Sequence, residues 1–271
     1  MRNIKFIIAY DGTDFRGWQA QPGQPTVQGA LSDVLEGLTR GRPALHAAGR
    51  TDAGVHAAGQ VVNFKTESSM SVQEFQRACN ALLPPTIRVQ SAEEVAAEFH
   101  SRWDAIAKTY RYRIFRGRVV PPFIWKYVQH DPGEMNFEAM AQAAVFFAGE
   151  HDFTSFAAST GSEEDDRERL TVRMIYSSQF LRASCADCKH GAEEWIYAVR
   201  GRSFMRNMVR KMVGTLLEIG RGKLAPDALP ELLALRDRSK SGPTMPPQGL
   251  CLESVEYPAM EKSPSSSGSD K

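Results

Sequence analysis

The chain has 271 residues, 42% hydrophobic and 24% charged, with a formal net charge of +1. That is ordinary for a soluble globular protein with room for a substantial core, and so small a net charge does not by itself announce a nucleic-acid partner. No run approaches the roughly 20 apolar residues that span a bilayer, and Met1-Arg2-Asn3-Ile4-Lys5 alternates instead of forming a signal-peptide core; no membrane partner and a cytoplasmic location are expected.

Residues 3 to 10 alternate as a strand, with Ile4, Phe6, Ile8 and Tyr10 on one face and Asp11-Gly12 as its stop. Helical spacing predicts a helix over 26 to 40, with Val27, Ala30, Leu31, Val34, Leu35 and Leu38 inward. Gln60 to Phe64 reads as a strand. A helix over 71 to 83 buries Val72, Phe75, Cys79, Leu82 and Leu83 and stops at Pro84-Pro85. Residues 108 to 115 alternate, with Tyr110, Tyr112 and Ile114 on one face and Arg111, Arg113 and Phe115 on the other. Asn136 caps a helix that runs to about Ala148 and ends at Gly149. Strands follow near 170 to 180 and 193 to 200. A helix over 205 to 219 carries an apolar stripe of Met205, Met208, Val209, Met212, Val213, Leu216 and Leu217. A helix over 226 to 236 and a strand over 249 to 257 complete the series.

The pattern is α/β (α+β) in two halves, 1–105 and 106–258, with the break near residue 105 and a tail, 259–271, disordered by composition. Charge is unevenly spread. Residues 101 to 118 hold six Lys/Arg against one acid, and 200 to 223 hold seven against one. Between them, 150 to 169 carries seven acids and two bases. Two basic patches could form a stripe along a phosphate backbone, or be solvated strand and helix faces. Cys185 and Cys188 form a C-x-x-C with His190 close behind, but no second pair exists and the segment lies between two strands. It reads as a hairpin loop, not a metal or redox site. No dinucleotide motif is present, since Gly12, Gly17 and Gly23 are scattered. No cofactor and no metal are expected.

The segment Gly49-Arg50-Thr51-Asp52-Ala53-Gly54-Val55-His56-Ala57 carries an acid, a base and an imidazole with little apolar content. It follows a basic turn, Arg40 to Pro43, and a short apolar run, and it precedes a strand. Glycines on both sides of Asp52 let the backbone turn sharply and place the carboxylate at the floor of a cleft. The alternative is an Asx-type turn in which Asp52 only caps backbone amides.

This segment resembles the catalytic loop of the tRNA pseudouridine synthase A family. Tyr10-Asp11-Gly12, Gly17-Trp18-Gln19, Val27-Gln28, Gln60-Val61-Val62 and Phe99-His100-Ser101-Arg102 follow the family in order. So do Lys108-Thr109-Tyr110-Arg111-Tyr112, Asp152 to Phe156, Phe204 to Arg210 and Gly249-Leu250-Cys251-Leu252. The resemblance spans residues 3 to 258. It implies two similar α/β halves with antiparallel sheets joined across a central catalytic cleft, the pseudouridine synthase fold, and a homodimer. It implies isomerisation of uridine to pseudouridine in the anticodon stem-loop of tRNA, at tRNA positions 38 to 40, where A-form stems are read by shape and backbone.

On the same resemblance Asp52 is the catalytic carboxylate, attacking C1′ or abstracting a proton. Either role needs an ionised group, for which Arg210 is the cation partner. Arg50 helps to extrude the target nucleotide and fills its space, and Tyr110 stacks on the flipped base. Arg111, Arg113, Arg116, Arg206 and Lys211 are the basic candidates for RNA binding. Residues 157 to 169 are more acidic than a segment beside RNA should be, and the Cys185–His190 loop looks like a local elaboration. The competing reading is a non-catalytic RNA-binding or RNA-folding protein on the same scaffold. A third is a hydrolase, which would release free uracil.

Overall fold

The computed structural model describes residues 1–39, 41–158, 170–184 and 193–258. The Cys185–His190 loop, the acidic residues 163–168 and the tail from 259 lie outside them. Among the described residues no helix is long and apolar enough to cross a membrane.

The architecture rests on one ten-stranded, mostly antiparallel sheet. β1 (Arg2–Tyr10) buries Ile4, Phe6, Ile8 and Tyr10, the face that its alternation predicts. It lies between β4 (Ile87–Val95) and β3 (His56–Thr66), antiparallel to both. β3 is buried along nearly its whole length, so it reads as a central strand. A short β2 (His46–Ala47) pairs with β3 ahead of the Asp52 loop. β5 (Ala107–Phe115) pairs with β9 (Glu193–Gly201), β9 with β8 (Val172–Ser184), and β8 with β7 (Gly149–Asp152). The two-residue β6 (Gln129–His130) runs parallel to the end of β5. The last strand, β10 (Leu250–Glu256), is the seam. It pairs parallel with β3 (Cys251 opposite His56) and antiparallel with β5 (Leu252 opposite Tyr110).

Helices cover the strands. α1 (Val27–Thr39) and α2 (Val72–Leu82) serve the β1–β4 half. Ser71 and Glu74 close a reciprocal capping box on α2. The Asn80 amide then clips α2 to β4, donating to the Val89 carbonyl (2.9 Å) and accepting from the Val89 N–H (2.8 Å). α3 (Phe137–Ala144) packs on β8 and on α4 (Met208–Gly220), and α5 (Ala228–Leu235) follows. One apolar core runs under both halves, and a smaller one gathers Phe115, Ile124 and Val128 on the opposite side of β5.

Four local differences from the sequence reading have physical causes. Leu82 is exposed (61%) because it sits in the last turn of α2, where Leu83 turns into the core instead. The helix after Asn136 gives way at Ala144 to a 3₁₀ turn, Val145–Phe147, a common way to tighten a helix end. α4 begins at Met208, not at 205, because Asn207 takes a left-handed conformation (φ 60°) that breaks helical geometry. The strand Ile87–Val95 is additional, since after Val89 its alternation dissolves into Ser91-Ala92-Glu93-Glu94.

Candidate active site

The Asp52 loop lies between β2 and β3 and is held by backbone contacts with residues 12 to 18. The Trp18 N–H donates to the Thr51 carbonyl (3.1 Å), the Gly54 N–H to the Phe15 carbonyl (3.2 Å), and Val55 closes a turn onto the Asp52 carbonyl (3.1 Å). Two glycines make this approach possible. A Cβ on Gly12 would lie 2.0 Å from the Val55 carbonyl oxygen, and one on Gly17, already at φ +94°, would lie 2.7 Å from that of Thr51. The Thr51 hydroxyl hydrogen-bonds the buried Tyr10 hydroxyl (2.8 Å). Upstream, the Gln60 side chain donates to the Gly49 carbonyl (2.8 Å) and Lys108 Nζ to the Ala48 carbonyl (2.5 Å). Burial, with the nearby Arg102 charge, lowers the Lys108 ammonium to about 8.

His56 closes the loop. Its Nδ1 lies 3.0 Å from the Gly12 nitrogen and 3.2 Å from Asp11 Oδ1, and its Nε2 lies 3.1 Å from the Lys126 carbonyl. Burial holds the imidazole below its ordinary pKa, against the pull of Asp11. His56 is thus a neutral structural brace.

Asp52 shows no Asx cap: among the described residues its carboxylate is recorded with Arg210, Nη1 to Oδ2 at 3.5 Å. The two are 158 residues apart in sequence. Arg210 sits in the first turn of α4, and shorter bonds fix its guanidinium. Nε donates to the Met245 carbonyl (2.6 Å) and Nη1 to Asn207 Oδ1 (2.9 Å). A planar guanidinium held at two points keeps Nη1, which it shares with Asn207, at a set angle to Asp52. The Asp52 side chain keeps 26% of its surface open, so the arginine orients the carboxylate without covering it. Asn207, whose odd backbone starts the helix, lies inside the Phe204–Arg210 motif, which assigns it no role, and the Met245 carbonyl is a part of the site that motif reading does not find.

Tyr110 lies in the middle of β5, opposite Leu252 on one side and Val199 on the other. It is buried (7% exposed), its ring edge-on to Phe204 at 5.0 Å. Burial, then the neighbouring Tyr10 and Asp52, push its hydroxyl well above 10. It is therefore a neutral phenol near pH 7.

The basic residues divide. Arg50 and Arg206 are exposed. Arg113 makes a bidentate pair with the buried Glu194 (2.5 and 2.9 Å). Arg111 pairs with Glu253. Arg116 lies 4.4 Å over the Trp195 ring and binds the carbonyls of Asp131 and Gly133. Lys211 Nζ ties α4 to the Arg238 carbonyl (2.9 Å) and the Ser241 hydroxyl (2.8 Å). The structure thus gathers Asp52, Arg210 and Tyr110 and gives Arg111, Arg113, Arg116 and Lys211 partners within the protein.

A family model described as tRNA pseudouridine synthase matches residues 6–104 and 143–258. The tRNA pseudouridine synthase A of Solibacter usitatus is 46% identical over 260 residues, covering 95% of this chain and all of that one. Proteins of the same name from Geobacter sp. (strain M21) and Brevibacillus brevis are 43% and 42% identical, each again over 95% of this chain and 100% of the relative. With the family model matched on both sides of the Asp52–Arg210 contact and relatives aligned from end to end, the chain belongs to the tRNA pseudouridine synthase family.

Proposed function

We propose that this protein isomerises uridine to pseudouridine in tRNA, in the anticodon stem-loop at tRNA positions 38 to 40, with Asp52 as the catalytic carboxylate. The observation that carries this reading is the Asp52–Arg210 pair, assembled from opposite ends of the chain with the carboxylate left partly open. The three relatives described above, each named tRNA pseudouridine synthase A, support it.

The reaction breaks the N1–C1′ bond, turns the uracil, and joins C5 to C1′. The proton lost from C5 is balanced by one gained at N1, so composition is unchanged and no electron acceptor is needed. Asp52 acts on the ribose by attack at C1′ or by proton abstraction, and Arg210 keeps it aimed. Tyr110 meets the flipped uracil at the cleft floor as a neutral, ring-first contact. Arg50, exposed next to Thr51, takes the place of the extruded nucleotide, which offsets a cost of a few kcal/mol. Of the other basic residues, Arg206 is the one displayed for phosphate, while Arg111, Arg113, Arg116 and Lys211 reach RNA only by leaving or sharing their present partners. Residues 1–105 supply Asp52, and residues 106–258 supply Tyr110 and Arg210. The working form is a homodimer, which light scattering checks.

The test is nucleoside analysis of an unmodified tRNA transcript after incubation with the purified protein. The expected result is pseudouridine with unchanged RNA mass and no free uracil. Free uracil would show a hydrolase, and tRNA binding without either product would show a non-catalytic binder.

A further inference from the structure

The segment Phe99–Asp104 joins β4 to β5 and is anchored by buried polar side chains. The Asn3 side chain donates to the carbonyls of Ala96 (2.9 Å) and Phe99 (2.8 Å). Asn63 donates to Asn3 Oδ1 (3.0 Å) and the Phe99 carbonyl (3.2 Å), and its Oδ1 accepts the Ser101 N–H (2.9 Å). The Ser101 hydroxyl donates to the His46 carbonyl (2.6 Å), and Tyr257 donates to that of Ser101 (2.6 Å). Asn3, Asn63 and Ser101 are all at most 1% exposed. A buried network satisfied this fully fixes one conformation of the segment.

What that segment holds outward is an aromatic and cationic ledge. Trp103 is 70% exposed, and the Arg102 guanidinium lies 4.7 Å from its ring centre. The His100 ring sits 5.5 Å from Trp103 and 4.5 Å from His46 on β2. Arg102 and His46 are exposed. Asp104 is the carboxylate at the ledge, and its Oδ2 is taken by the His100 N–H (2.9 Å). His46 leads directly into the catalytic loop. Asp52 is six positions further on, so the two lie no more than about 22 Å apart.

We propose that Trp103, Arg102, His100 and His46 form a docking surface for the tRNA substrate, outside the catalytic set. Trp103 stacks on an unpaired base, and Arg102 with the histidine edges takes the adjoining phosphates. Single-stranded RNA is held by stacking on an exposed ring beside a cation, and the ledge continues through His46 into the loop that carries Asp52. The inference rests on the tRNA reading above.

The experiment compares wild type, Trp103→Ala, Trp103→Phe and Arg102→Gln for binding to an unmodified tRNA transcript across a salt series, with KM and kcat beside it. The expected result is a loss of affinity of about tenfold for Trp103→Ala, the size of one lost stack, with Trp103→Phe restoring most of it. Arg102→Gln should lower the salt slope by about one. The losses should fall on Kd and KM far more than on kcat. Variants that bind like wild type, with the same slope, overturn the surface while leaving the catalytic reading intact. A changed light-scattering mass for Trp103→Ala with unchanged tRNA affinity also overturns it, making the ledge a protein interface. Wild type that binds no tRNA overturns both readings.

Discussion

Arg210 illustrates how one side chain can meet three acceptors through two of its nitrogens. Nε is held by the Met245 carbonyl, and Nη1 is shared between Asn207 Oδ1 and the more distant Asp52 Oδ2. A lysine has the charge but cannot span three acceptors in a plane. Arg210→Lys should lower kcat about 10- to 100-fold, the scale of a misaimed catalytic group, with KM changed little; an unchanged kcat would show that charge alone suffices. His56 sets a pH dependence. Its folded pKa lies below the unfolded 6.5, so below that pH the unfolded chain binds the extra proton and stability falls. The loss should begin as pH drops through about 6.5 and continue toward the folded value. Asp11 stays ionised there: burial opposes it, but hydrogen bonds from Thr13 and Tyr127 hold its carboxyl below 3.8. Urea midpoints between pH 7.5 and 5 should fall more for wild type than for His56→Gln, and equal slopes would contradict the neutral brace. The Asp52 loop was legible because an acid between glycines is poor packing material. Tyr110 and Arg210 needed the family resemblance, and the partners of Arg111, Arg113, Arg116 and Lys211 are distant in sequence and left no local trace.

Elements were most legible where one periodicity ran unbroken. β1 alternates without a lapse, and α4 carries its whole stripe into the core. Boundaries failed where a single backbone geometry decided them, as at Asn207, whose left-handed conformation no spacing rule reveals. β4 escaped notice because its outer half is polar on both faces and is defined by pairing with β1. Helix contact makes its own demand. Gly214 lets α4 lie against residues 242–243, and an added Cβ would fall 1.9 Å from the Pro243 carbonyl oxygen. Backbone must then move, so Gly214→Ala should destabilise by about 1–3 kcal/mol. Chemical denaturation measures this, and a loss below about 0.5 kcal/mol would mean that the loop yields freely.

At the scale of the molecule, the sheet explains why the site forms at all. β10, the last strand of the described chain, slots between β3 and β5 and sets the Asp52 loop beside Tyr110. Strand alternation shows which residues face inward, but not which strands become neighbours. The parallel β3–β10 junction joins residues nearly 200 positions apart, and local pattern is silent about it. The mixed α/β character was readable, while the single sheet is a tertiary outcome. The central claim is that this assembly exists to aim Asp52 at a uridine in tRNA. Its most direct test is pseudouridine mapping at nucleotide resolution on unmodified tRNA transcripts, with wild type and Asp52→Asn side by side and no added cofactor. The account predicts signal in the anticodon stem-loop from wild type alone, with the variant slower by at least about 10²-fold yet still binding tRNA. Equal conversion by Asp52→Asn, or signal confined to another part of the tRNA, would contradict it.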